Sequence, residues 1–150
     1  MEILSIAFLG KVCGCREKIE EKLEKLIHVL TEAHELTECL VMKGNDFNFL
    51  ASEIIDRMKP CYDGKLEHTL VLPSGVPYEK KNRNDFVYDR IEFADIMENG
   101  GEEVSALSRW MIESSDILIC CILDMKDCTN PLLQYALSRK MCIYNLAEAI

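Results

Sequence analysis

The sequence predicts an α/β domain in three layers, with a parallel sheet between two sets of helices. Three observations carry this. Short apolar runs of strand length alternate with segments of helical periodicity along the whole chain. Ile117 to Leu123 is continuously apolar, as a central strand buried on both faces must be. The connections are rich in the residues that end helices and turn the chain, such as Gly10, Gly44-Asn45-Asp46 and Pro60.

The elements follow in order. Ile3 to Leu9 is a first strand, ended by Gly10. Arg16 to His34 reads as a helix, with Ile19, Leu23, Leu26, Ile27 and Leu30 on one face and Glu and Lys on the other. Cys39 to Met42 is a second strand, closed by Lys43-Gly44-Asn45-Asp46, and Asp46 is the candidate cap of the next helix. That helix carries Phe47, Leu50, Ala51, Ile54, Ile55 and Met58 and stops at Pro60. Leu66 to Leu72 is a third strand. From Pro73 to Gly101 the chain reads as a long polar loop, of the kind used for lids and binding loops. A helix is expected from about Glu102 to Ser114, with Val104, Leu107 and Met111 as its apolar face. Ile117 to Leu123 is the fourth strand. Pro131 suits the first turn of a helix capped by Thr129 or Asn130, and Met141 to Leu146 closes as the fifth strand.

About five parallel strands joined by right-handed crossovers take the order 3-2-1-4-5, the Rossmann-like arrangement. The 150 residues suit a single domain spanning 1–150. Apolar residues make up 49% of the chain and the net charge is -9, shared about equally between the halves. Such a surface repels a phosphate backbone, so nucleic acid is not an expected partner. No apolar run reaches the ~18 residues of a membrane span, and Met1-Glu2-Ile3-Leu4 lacks the basic start of a signal peptide. Eight cysteines in this setting indicate free thiols and a cytoplasmic protein.

In this fold, ligands bind beyond the carboxyl ends of the strands, where the strand order reverses. Three loops are expected there: Gly10-Lys11-Val12-Cys13-Gly14-Cys15, Gly44-Asn45-Asp46 and Asp127-Cys128-Thr129-Asn130. Glycines let main-chain N–H groups approach an anion, and helix N-termini favour one. Gly10, Lys11, Gly44, Asn45, Asp46, Asp116, Thr129 and Asn130 are the candidate ligand-binding residues. The spacing is neither G-x-G-x-x-G nor a P-loop. Lys80, Lys81, Arg83 and Arg90 could reach over the crevice, or form a solvated surface. Asp89, Glu92, Asp95 and Glu98 recur every third residue and would share a helix face. Cys13, Cys15 and Cys128 would lie together, but C-x-C lacks the usual zinc spacing and no metal site is expected. His28, His34 and His68 are not placed as bases, and no Ser/His/Asp spacing is recognisable.

The segment Asn99-Gly100-Gly101 … Ser108-Arg109-Trp110-Met111-Ile112-Glu113-Ser114-Ser115-Asp116-Ile117-Leu118-Ile119 resembles short bacterial proteins of the SLOG superfamily, the Rossmann-like group joining DprA/Smf and the Lonely Guy (LOG) proteins. The resemblance extends to Ile6-Ala7-Phe8-Leu9-Gly10, to Gly44-Asn45-Asp46-Phe47 … Ala51-Ser52-Glu53-Ile54, and to Gln134-Tyr135-Ala136-Leu137-Ser138-Arg139-Lys140. It implies a nucleotide-like ligand, in some members hydrolysis of an N-glycosidic bond, and a homodimer paired through helices beside the sheet.

The departures are specific. Gly10-Lys11-Val12 stands for the family's Gly-His-Arg, and Leu107 for its arginine. Arg109 is two positions on, about 200° around the helix. Asp127-Cys128-Thr129 stands for Ser-Gly-Thr, and Gln134 for an acidic residue. N-glycoside cleavage builds positive charge on the sugar, which a carboxylate stabilises and a glutamine does not. The sequence therefore points to a non-catalytic domain that binds or senses a nucleotide or nucleotide derivative, with no resident cofactor. The alternatives are an N-glycosidic hydrolase or transferase of LOG type using Asp46, Asp116 or Glu53, and a pocket-less protein-interaction module.

Overall fold

The computed structural model describes residues 2–75, 85–96, 103–123 and 130–147. Among these the chain forms strands β1 (Ile3–Gly10), β2 (Leu36–Val41), β3 (Leu66–Pro73), β4 (Arg90–Ala94), β5 (Ile117–Cys121) and β6 (Cys142–Asn145). Helices α1 (Arg16–Glu32), α2 (Asp46–Met58), α3 (Glu103–Glu113) and α4 (Asn130–Ser138) alternate with them, and a 3-10 turn over Lys59–Cys61 follows α2. All pairings are parallel and the order is β4-β3-β2-β1-β5-β6. The expected five strands keep their order, as β3-β2-β1-β5-β6, and β4 is added beside β3.

β4 falls inside the segment that reads as a loop. Arg90-Ile91-Glu92-Phe93 alternates polar and apolar residues, and of the strand only Ala94, which joins the apolar layer with Leu107 and Met111, is buried, as suits a short strand at a sheet edge. The acidic spacing at every third residue hides this. Asp89, Glu92 and Asp95 therefore share no helix face, and Glu98 lies outside the described residues. Asp89 instead opens the β3–β4 ladder: its carboxylate accepts from the His68 N–H at 2.7 Å and its own N–H donates to the His68 carbonyl at 2.8 Å.

Two apolar layers sandwich the sheet. Ile6, Phe8, Cys39, Val41, Ile119 and Cys121 face α1 and α2, packing on Leu23, Ile27, Phe47 and Ile54. Ala7, Leu9, Leu40, Leu118 and Cys120 face α3 and α4, packing on Leu107, Met111 and Ala136. All five residues of β5 are buried. This is the double coverage that its unbroken apolar run demands.

The cap of α2 is Asn45, not Asp46. Asn45 has the extended backbone of a cap, and its side chain accepts from the Asn48 N–H at 2.9 Å. Such a cap contributes about 1 kcal/mol. Among the described residues no helix is long and apolar enough to cross a membrane.

Candidate functional site

β1 and β5 are neighbours whose connections leave to opposite faces of the sheet, so their carboxyl ends bound a crevice. Gly10 closes β1 with φ +121°, a conformation that side chains rarely adopt. A β-carbon there would also meet the backbone of Cys121, within 2.9 Å of its carbonyl carbon. The next amide, Lys11 N–H, donates to the Cys121 carbonyl at 3.1 Å. The chain then turns through Gly14, at φ +73°, into α1. Cys15 takes the cap position of α1 with no side-chain hydrogen bond. The positive end of α1 is thus open at the crevice.

The second loop meets the first. Gly44 adopts φ +84°. Asn45 Nδ2 donates to the Gly10 carbonyl at 3.0 Å, and the Asp46 carboxylate accepts from the Val12 N–H at 3.2 and 3.3 Å. Asp46 therefore occupies the amide expected to face a ligand. Asn45 and Asp46 brace the two loops against each other, and the space between those loops is filled by the protein's own groups.

The open space lies on the other side of the first loop. A cavity of about 360 Å³ sits between the start of α1 and the chain leaving β5 and β6. Cys13, Gly14 and Cys15 form its floor, Lys18 and Lys22 one wall, and Leu123, Leu146 and Ala147 the other. This volume is in the range of small-molecule sites. Asn145 fixes the apolar wall: its Oδ1 accepts from the Ile122 and Ala147 N–H groups at 3.2 and 3.1 Å, and its Nδ2 donates to the Ile122 carbonyl at 3.0 Å. Lys22 Nζ approaches the Leu146 carbonyl at 3.4 Å, so it spans the two walls.

The remaining expected residues are dispersed. Lys11 is exposed and does not line the cavity. Asp116 is at the opposite edge of the sheet, where its carboxylate accepts from the Ser5 N–H at 2.9 Å. Five residues of β5 separate it from the crevice, roughly 16 Å of strand. It is a brace between the starts of β1 and β5 and no part of the pocket. Asn130 opens α4; Asp127, Cys128 and Thr129, like Lys80, Lys81 and Arg83, lie outside the described residues. Arg90 pairs with Glu38 at 3.4 Å on the far side of the sheet. Arg109 stacks on the Tyr135 ring at 4.3 Å, joining α3 to α4. Among the described residues no three His, Cys, Asp or Glu side chains are grouped to hold a metal.

Sequence reasoning missed Lys18, Lys22, Leu123 and Leu146. One signal was available. A lysine in the first turn of a helix opposes the helix dipole, so Lys18 is misplaced for helix stability and well placed for an anion at that end.

A serine–histidine contact, also unanticipated, lies in the core. Ser52 Oγ and His68 Nε2 are hydrogen-bonded at 2.9 Å, and His68 packs against Phe86 and Tyr88. Both polar residues are buried, so no substrate reaches them. Burial, assisted by Lys59 and opposed by Asp89 and Asp85, lowers the His68 pKa from 6.5 to about 4. Between those values the unfolded chain binds a proton that the native state refuses. Stability from this group is complete above pH 6.5, falls as the pH drops, and is about 3 kcal/mol lower below pH 4. Urea titrations from pH 7 to 4 should show this loss, and His68→Leu should remove it. Equal slopes for the two proteins would refute the assignment.

No protein-family model matches the chain, and no curated protein matches it in sequence.

Proposed function

We propose that the protein binds a small phosphorylated molecule, a nucleotide or nucleotide derivative, in the cavity at the start of α1. The reading rests on one observation: the uncapped N-terminus of α1 and two lysines one turn apart converge on a single cleft of a chain whose net charge is -9. Helix dipole and lysines together favour a phosphate. Leu123 and Leu146 offer an apolar wall for a base or other flat group. Membership of the SLOG superfamily, with its homodimeric pairing, belongs to the same proposal, as does a cytoplasmic setting for the eight cysteines.

The domain acts as a binder rather than a hydrolase in this reading. Asp46 is bonded to the Val12 amide, Glu53 is paired with Arg16 at 3.0 Å, and Asp116 is remote. None of the three carboxylates lines the cavity. The occupied Val12 amide favours, as a second reading, a pocket-less interaction module.

A thermal-shift series with inorganic phosphate, AMP, ATP and ADP-ribose separates these. Saturating nucleotide at about 100 times Kd should stabilise the fold by roughly 2.7 kcal/mol, a rise of several degrees in Tm. No free base should appear on incubation. Release of base would favour the hydrolase. A flat series with all four compounds would refute the nucleotide reading and leave the interaction module.

A further inference from the structure

We propose that Cys13 and Cys121 form a reversible modification site, a thiol pair that closes to a disulfide across the floor of the crevice. The two sulfur atoms are 3.2 Å apart, although 108 positions separate the residues. A disulfide needs about 2.0 Å between its sulfurs, so closure requires a shift of about 1 Å. The two residues differ in ways that assign their roles. Cys121 is the last residue of β5, fully buried and registered against Gly10. Its carbonyl is also held by the Lys11 amide. It stays in place. Cys13 is half-buried on the cavity floor, in a loop that turns at Gly14, where nothing lies within 4 Å of an added β-carbon. Cys13 is the thiol that a reagent reaches and the one that moves.

The co-reactant is a small-molecule disulfide. The Cys13 thiolate attacks one sulfur of that disulfide, forms a mixed disulfide and expels one small thiolate. Cys121 then gives its proton to solvent and attacks the Cys13 sulfur, expelling the second small thiolate. Two protein thiols are oxidised by two electrons, and one small disulfide is reduced to two thiols. Burial and the contact with Cys13 push the Cys121 thiol up to about 12. The second step should therefore quicken with rising pH. Cys120 is excluded because its side chain lies in the opposite apolar layer, and Cys15 is exposed at the α1 cap.

The proposal is independent of whether the cavity holds a nucleotide. The test incubates the reduced native protein with oxidised glutathione at pH 8, followed by intact mass and peptide mapping. In the wild type the Cys13 and Cys121 peptides should be joined, about 2 Da below the sum of the two and free of glutathione, whatever adducts form on the exposed Cys15, Cys61 and Cys142. Dithiothreitol should reverse the change, and Cys15→Ser should behave identically. Cys121→Ser and Cys121→Ala, the second keeping the core apolar, should each stop at a glutathione adduct on Cys13. A wild-type protein that accumulates the adduct without closing, links Cys13 to Cys15, or does not react would overturn the proposal.

Discussion

Gly10→Ala is expected to cost the protein about 4 kcal/mol or more, a large share of the roughly 5–15 kcal/mol that holds an ordinary domain folded. Two effects combine at this position. The backbone angle of +121° is almost closed to a residue with a side chain, and the new methyl would be driven into the main chain of Cys121. The neighbour cannot yield, because Cys121 is hydrogen-bonded within the sheet. Relief would need β1 and β5 to separate at the centre of the fold. Gly14→Ala is the matched control. It too carries a positive φ, +73°, but has open space around it, so only the backbone penalty of about 1–2 kcal/mol applies. Urea denaturation of the two variants measures the difference. If Gly10→Ala unfolds at the wild-type midpoint, the tight β1–β5 junction is wrong.

The second large effect concerns the cavity. Reversing both cations, with Lys18→Glu and Lys22→Glu together, should weaken ADP-ribose or ATP binding on the order of 100-fold. A phosphate near one lysine at 4 Å gains up to about 4 kcal/mol at the effective dielectric of a protein surface. Solvent screening reduces this to an estimate of about 1.4 kcal/mol, or tenfold, for each lysine. The single variant Lys18→Glu should therefore lose about tenfold, with little change in the unliganded Tm because no described residue pairs with it. Lys22 also contacts the Leu146 carbonyl, so its replacement should lower the unliganded Tm slightly. Calorimetric titration at two salt concentrations gives the affinities. Unchanged affinity in the double variant would remove the phosphate from this end of α1.

The architecture was legible wherever one pattern dominated a segment. The unbroken run from Ile117 marks a strand covered on both sides. The apolar spacing from Ile19 to Leu30 marks α1 against a surface of Glu and Lys. β4 escaped because this edge strand buries only Ala94 and so carries little apolar signal, and its charged residues repeat at an interval that mimics a helix. Asn45 and Asp46 can both cap a helix, and only the backbone angles, set by the approach of the first loop, decide between them.

The candidate cavity lies beside the crevice that the strand order marks, and its lining was poorly legible. The reversal of strand order identifies the crevice, but not which side of the first loop stays open. That depends on where the Asp46 carboxylate points, a tertiary fact. The place of Asp116 follows from its position in the chain. A residue just before a parallel strand lies at the amino edge, away from any ligand bound beyond the carboxyl ends. Leu123 and Leu146 read as strand residues and gave no sign that the chain leaves the sheet before them.

The carboxylate of Asp46 already does for the first loop what a bound anion would do elsewhere. With the Val12 amide satisfied from within, the turn is posed before any guest arrives. If the cavity takes a phosphorylated ligand as proposed, recruitment freezes little additional motion at Val12, and more of the contact energy is expressed as affinity. A binder of the proposed kind would meet its guest with the Val12 end of the turn already set, leaving only the Cys13 end to adjust.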